Sequence, residues 1–288
     1  MLGLGSGVPN GGGLVDPYVG DLDSFSSSLS HAYSVHRLTN AYSGSCLRVR
    51  RSSDNQEQDI GFTGSGDLDT ASISSFVGSG NNGFVSRWYS QDSAGGTGSG
   101  NDAIQSDPDL QPKIFDGTSV IETNGKPSLD FDVSEGWFAT TASRLQPFSF
   151  FSVVEPEVVP NGGYVFSALN VPAFRLQDVG TGRYIFYGGG NIIHATTLTT
   201  GQQIIDGHKS ASVPFQSLRR NGVLLASNTN IADYSAPTDF PYITIGGYRT
   251  DVGSERWRGK MQTVILMDYA ESEKDTIEGA LDTYFGVT

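Results

Sequence analysis

The chain carries a single cysteine, Cys46, in 288 residues, so no internal disulfide framework holds it together. Basic residues are scarce as well: 18 Lys and Arg stand against 31 Asp and Glu, a formal net charge of −13. Phosphate backbones are bound by clustered Lys and Arg, so nucleic acid is not an expected partner. No run approaches the roughly 18 apolar residues of a membrane span, and membrane insertion is not expected. The first basic residue is Arg37 and no sustained apolar run precedes it, so the opening segment does not read as a secretory signal. There is no Asn-x-Ser/Thr sequon. The four histidines are scattered, and no His-x-x-x-His or Cys-x-x-Cys pair offers metal-ligand spacing. Neither a Gly-x-Ser-x-Gly elbow nor a Gly-x-x-x-x-Gly-Lys loop occurs.

What the chain does have is 37 glycines, 16 phenylalanines and 12 tyrosines. Short runs rich in β-branched and aromatic residues recur every 8 to 12 residues, as in Leu47–Arg50, Phe84–Tyr89, Phe148–Glu155 and Gly259–Leu266. That spacing predicts an all-β sandwich or barrel. Asn221-Gly222 between two such runs predicts a hairpin, because both residues accept the positive φ of a type I′ turn. A short helix is expected after Asp69 or Thr70, through Ile73, Phe76 and Val77. A longer one is expected over 272–285, capped by Ser272, with Ile277, Leu281, Tyr284 and Phe285 on one face and Gly286 ending it. Residues 1–30 are too poor in apolar groups to fold alone and read as an extended Gly-rich arm, with residues 31–288 as one domain.

Several segments resemble a known family. Ala32–Leu38, Tyr42–Gly44 and Leu47–Asp54 are similar to the opening of the family 54 α-L-arabinofuranosidase catalytic domain, and phage structural proteins carry a similar opening. Trp88–Asp92 with Gly100–Ala103 resembles a looser form of that family's Tyr-Asp-Gln-Ser-Gly-Asn-Gly run. Asn124–Phe131, Phe150–Pro156, Arg220–Val223, Ile245–Gly247 and Arg258–Leu266 are similar to laminin-G and concanavalin-like domains. The resemblance covers about residues 31–288. It implies a two-sheet concanavalin/laminin-G-like β-sandwich, a jelly roll, with an N-terminal arm and a C-terminal helix.

The same resemblance bears on catalysis. A retaining glycosidase needs two carboxylates about 5 Å apart. The family's acid/base aspartate follows an Ile-Gly-Gly, where this chain has Tyr248 after Ile245-Gly246-Gly247. The family's nucleophile is a mid-domain glutamate, and no glutamate lies between Glu157 and Glu255. The expectation is therefore a protein that is not an enzyme, with Asp251 as the one substitute acid near Tyr248. No cofactor is expected, although Asp107, Asp109, Asp130 and Asp132 offer the hard oxygens that suit Ca²⁺.

Two uses are weighed for such a sandwich, the architectural one leading, with an α-L-arabinofuranosidase-like glycoside hydrolase as a further alternative. One is carbohydrate binding. Trp88, Tyr89, Trp137, Tyr248 and Trp257 are the aromatic candidates, and Tyr248 and Trp257, with Arg249 and Asp251, are the preferred set. The other is architectural. A fold that usually works outside cells, here without a signal or disulfides, fits a bacteriophage virion protein, such as a capsid decoration or tail-fibre part. Its arm would contact other virion subunits, or further copies of the chain in a symmetric assembly, through Leu2, Leu4, Val8, Leu14, Val15 and Tyr18.

Overall fold

The computed structural model describes residues 18–92, 101–131, 136–140, 147–157, 163–168, 171–175, 183–187, 191–193, 199–210, 212–229, 243–247 and 256–288. In chain order the strands begin with β1 (Leu29–Ser34), β2 (Leu47–Arg51), β3 (Glu57–Ile60), β4 (Asn82–Trp88) and β5 (Ala103–Ile104). Next come β6 (Lys113–Asp116), β7 (Glu122–Thr123), β8 (Lys126–Pro127), β9 (Leu129–Asp130), β10 (Phe138–Ala139) and β11 (Phe148–Pro156). Then follow β12 (Tyr164–Ala168), β13 (Val171–Arg175), β14 (Ile185–Tyr187), β15 (Asn191–Ile193) and β16 (Gln203–Lys209). The last are β17 (Gln216–Arg220), β18 (Val223–Asn228), β19 (Ile243–Ile245) and β20 (Gly259–Asp268). Helix α1 is Thr70–Val77 and helix α2 is Lys274–Phe285.

Among the described residues all pairings are antiparallel; they trace two layers, linked where β6 pairs with both β4 and β9, and β7 with β8 forms a separate two-stranded sheet. One layer runs β18–β17–β16–β11–β20, with β1 and β9 sharing the far side of β20. The other runs β3–β2–β4, continues through β5 to β10 and β19, and ends β12–β13–β14–β15. Phe150 on β11 meets Phe166 on β12 at 5.1 Å and Phe186 on β14 at 5.2 Å between ring centres. These strands are not hydrogen-bonded to each other, so the rings meet edge to face between the layers, within the core. Aromatic pairs at such distances add to the apolar area they bury. The expected all-β sandwich is the observed fold.

Helix α2 covers the outer face of the first layer, which is why β11 is buried on both sides. Ile277, Leu281 and Phe285 face that sheet, as their spacing predicts. Gly286 ends the helix in the left-handed conformation, φ 63°. Ser272 is not its cap. It lies in a 3-10 turn, Glu271–Glu273, and its hydroxyl donates to Glu273 Oε2 at 2.5 Å. Asp69 does cap α1, accepting from the Ser72 N–H at 3.0 Å. Asn221 and Gly222 have φ of 47° and 76° and close the β17–β18 hairpin as expected. Among the described residues no helix is long and apolar enough to cross a membrane.

The arm reading changes at Tyr18. Its ring is buried, its hydroxyl pairs with His36 Nε2 at 2.9 Å, and the Arg37 guanidinium lies 4.0 Å from its ring centre. Tyr18 therefore packs on its own domain rather than reaching a neighbouring chain, because His36 and Arg37 supply the partners its hydroxyl and ring need. Domain structure also starts before residue 31, with a 3-10 turn at Asp23–Ser28 and β1 at Leu29. Leu2, Leu4, Val8, Leu14 and Val15 lie outside the described residues.

Candidate functional site

The preferred carbohydrate set sits on the stretch leaving β19. Tyr248, Arg249 and Asp251 lie outside the described residues, but both ends of the stretch are in view. Gly246 has φ 82° and donates to Val165 O at 3.0 Å. A Cβ there would fall 2.6 Å from the Phe131 ring, so only glycine fits. The Trp257 N–H donates to Gly246 O at 2.7 Å, which fastens the returning chain to the exit of β19.

Trp257 is 2% exposed and belongs to the core, so it cannot offer a face to a sugar. That expectation is corrected: the backbone bond to Gly246 draws the indole inward. Trp88 is buried between Tyr33 and Phe138, and Tyr89 is buried with its hydroxyl donating to Asp59 at 2.8 Å. Trp137 is the exception. It is half-buried, and it adjoins Gly247, where a Cβ would meet the Trp137 Cβ at 3.3 Å.

A polar cleft of about 310 Å³ opens beside α2, lined by Arg219, Asn221, Asp275, Glu278 and Asp282 among others. Arg219 Nη2 donates to Asp275 Oδ1 at 2.6 Å and to Glu278 Oε2 at 3.0 Å. Behind it, His208 lies between Asp206 at 2.9 Å and Ser149 at 2.7 Å, all three buried. Burial, then the nearby Asp206 carboxylate, raises the Glu278 carboxyl to about 7. The hydrogen bond from Arg219 holds exposed Asp275 below the usual carboxylate range.

One of the aspartates considered for calcium already serves as a turn cap. Asp107 accepts from the Asp109 N–H at 3.0 Å and caps a 3-10 turn. Asp130 is a strand residue opposite Lys113 and Lys260, and Asp132 lies outside the described residues. Among the described residues no group of three His, Cys, Asp or Glu is placed to hold a metal ion.

The two packed antiparallel layers with the C-terminal helix define a concanavalin-like jelly-roll sandwich. No protein-family model matches the chain, and no curated protein matches it. Solved structures do match. A family 54 α-L-arabinofuranosidase soaked with a cyclic sulfate inhibitor aligns with a TM-score of 0.62 at 14% identity, over 92% of this chain and 64% of its own. An arabinofuranosidase complexed with arabinofuranosyl-α-1,2-xylobiose aligns at 0.60 and 13% identity, with the same coverage. A Trypanosoma rangeli sialidase in complex with sialic acid aligns at 0.48 and 14% identity, over 69% of this chain and 31% of its own. The chain thus spans about 64% of the arabinofuranosidases it matches, and at this identity the likeness establishes the fold.

The expectation that the chain is not an enzyme is corrected by these matches. Arabinofuranosidases, which are glycosidases, share its fold over 92% of its length. Missing motif carboxylates do not exclude catalysis on such a fold, because acids elsewhere on the scaffold can lie close together, as Asp275 and Glu278 do.

Proposed function

We propose that the sandwich engages carbohydrate at the end of the sheet where β10 pairs with β19, beside Gly247. The observation that carries this reading is Trp137. It is the half-buried indole among otherwise buried tryptophans, and it stands beside Gly247. A partly exposed indole can offer the apolar faces of a sugar a stacking surface, and Tyr248 and Asp251 lie one and four residues after Gly247 in sequence. The matched arabinofuranosidases, one of them holding arabinofuranosyl-xylobiose, support carbohydrate as the ligand class. The virion setting expected from the sequence enters the same proposal, with a host-surface glycan as the ligand.

The test is a glycan array with the full chain, alongside release of nitrophenol from an aryl α-L-arabinofuranoside. Saccharide binding or turnover that drops at least tenfold in Trp137→Ala, with an unchanged circular dichroism spectrum, is the expected result. No binding to any glycan and no turnover would overturn it.

A further inference from the structure

On the open face of the second layer, β2 and β4 pair with an irregularity. Arg48 lies opposite Arg87 and Val49 opposite Val85, so Ser86 is an extra residue with no partner across the ladder. Such a bulge turns neighbouring side chains to one side and is common beside binding sites. Here it lies on a cleft of about 290 Å³ lined by Arg48, Glu57, Ser86, Arg87, Gln105 and Gln111 among others. Ser86 is 7% exposed, and its hydroxyl has no hydrogen-bond partner. A buried hydroxyl without a partner is destabilising, and a ligand hydroxyl that reached it would relieve that cost.

The walls are held from behind. Gln111 Oε1 accepts from Arg50 Nε at 2.7 Å, and its Nε2 donates to Gln105 O at 2.9 Å. Gln105 Nε2 donates to Trp137 O at 2.8 Å, and its N–H donates to Ser86 O at 2.9 Å. Groups fixed in this way lose little freedom when they bind.

Charge indicates what the cleft would take. Arg48 is bound bidentately by Asp59, at 2.6 and 2.9 Å, and Arg87 pairs with Asp102 at 3.4 Å. With both guanidinium groups paired to carboxylates and Glu57 in the wall, an anion gains little here. A neutral polyol fits better, because each hydroxyl can donate to Glu57 and accept from Arg87 or Ser86.

We propose that the bulge cleft at Ser86 and Arg87 is a binding site for a neutral saccharide unit, joined to the Trp137 rim through Gln105. This rests on the reading that the protein engages carbohydrate, and it adds a second, separately testable site.

The experiment follows the side-chain amide signals of Gln105 and Gln111 by NMR in the labelled full chain. Xylobiose and cellobiose are titrated in as neutral probes, with glucuronic acid and inorganic phosphate as acidic ones. Neutral disaccharides should shift both amides. Ser86→Ala and Arg87→Lys should each weaken that response about tenfold, while Trp137→Ala keeps it. Ser86→Ala should not lower the melting temperature, since it removes an unpartnered hydroxyl; a purely structural serine would lower it. Amides that respond to no neutral probe, that respond only to the acidic probes, or that are unaffected by Ser86→Ala and Arg87→Lys would overturn the site. The array result for Trp137→Ala decides the rim separately.

Discussion

On the layer containing β11, β16 and β17, the outward side chains include Ser149, Asp206, His208 and Arg219, and α2 closes over them. On the layer containing β2 and β4, the outward set includes Arg48, Arg87 and Ser86, and they line an open cleft. Both faces use arginine–carboxylate pairs, yet their surroundings differ. The Arg219 side chain is 6% exposed and the Arg87 side chain 32%. Under the helix Arg219, Asp206 and Glu278 have lost their water and depend on one another, while Asp275 stays at the rim, 78% exposed. At the cleft water still reaches them, so the pairs orient side chains more than they stabilise the fold. One layer thus uses polarity to dock a helix, and the other keeps it available to a ligand.

That contrast makes its largest claim at Arg219. Arg219 also lies 4.0 Å from Asp206, so Arg219→Ala leaves Asp206, and Glu278 once it ionises above about pH 7, without their cation; it should cost about 3–5 kcal/mol by urea denaturation at pH 8. Arg87→Lys should cost less than about 0.5 kcal/mol. Equal losses would erase the distinction between the faces.

A second effect depends on pH. The folded state holds the Glu278 proton up to about 7, against a normal value of 4.5. Between those values the folded protein binds more protons than the unfolded chain. This group's contribution therefore falls as pH rises from about 4.5 to 7 and is most favourable below that window. Glu278→Gln should flatten that slope in a series of thermal melts, and an unchanged slope would place the charge cost elsewhere.

The two helices sharpen the contrast at a smaller scale. Asp69→Ala removes a hydrogen-bonded cap from α1 and should cost about 1 kcal/mol. Ser272→Ala should change stability by no more than a few tenths, since no cap hydrogen bond is lost from α2.

What could be read from the sequence was local. The Asn221-Gly222 turn, the Asp69 cap and the apolar stripe of α2 each follow from residues a few positions apart. The bulge at Ser86 could not be foreseen, because it arises from pairing with Arg48, far away in sequence. Tyr18 was hidden by a Gly-rich neighbourhood, since its burial depends on His36 and Arg37. Trp257 looked available beside a polar loop, but its position is set by the backbone of β19. Arg219 and Glu278 carry no signal either; only the docking of α2 on β17 brings them together.

The pairing of β1 with β20 also governs how the domain can be made. Tyr33 lies opposite Val264, and β20 inserts between β1 and β11. A ribosome releases the early strands long before their central partner exists. Loops this long are slow to close, and folding slows as contacts become more distant in sequence. Strand edges that wait unpaired are open to other chains. Expression at lower temperature, or with a holdase chaperone, should therefore raise the soluble yield more than any change within the core.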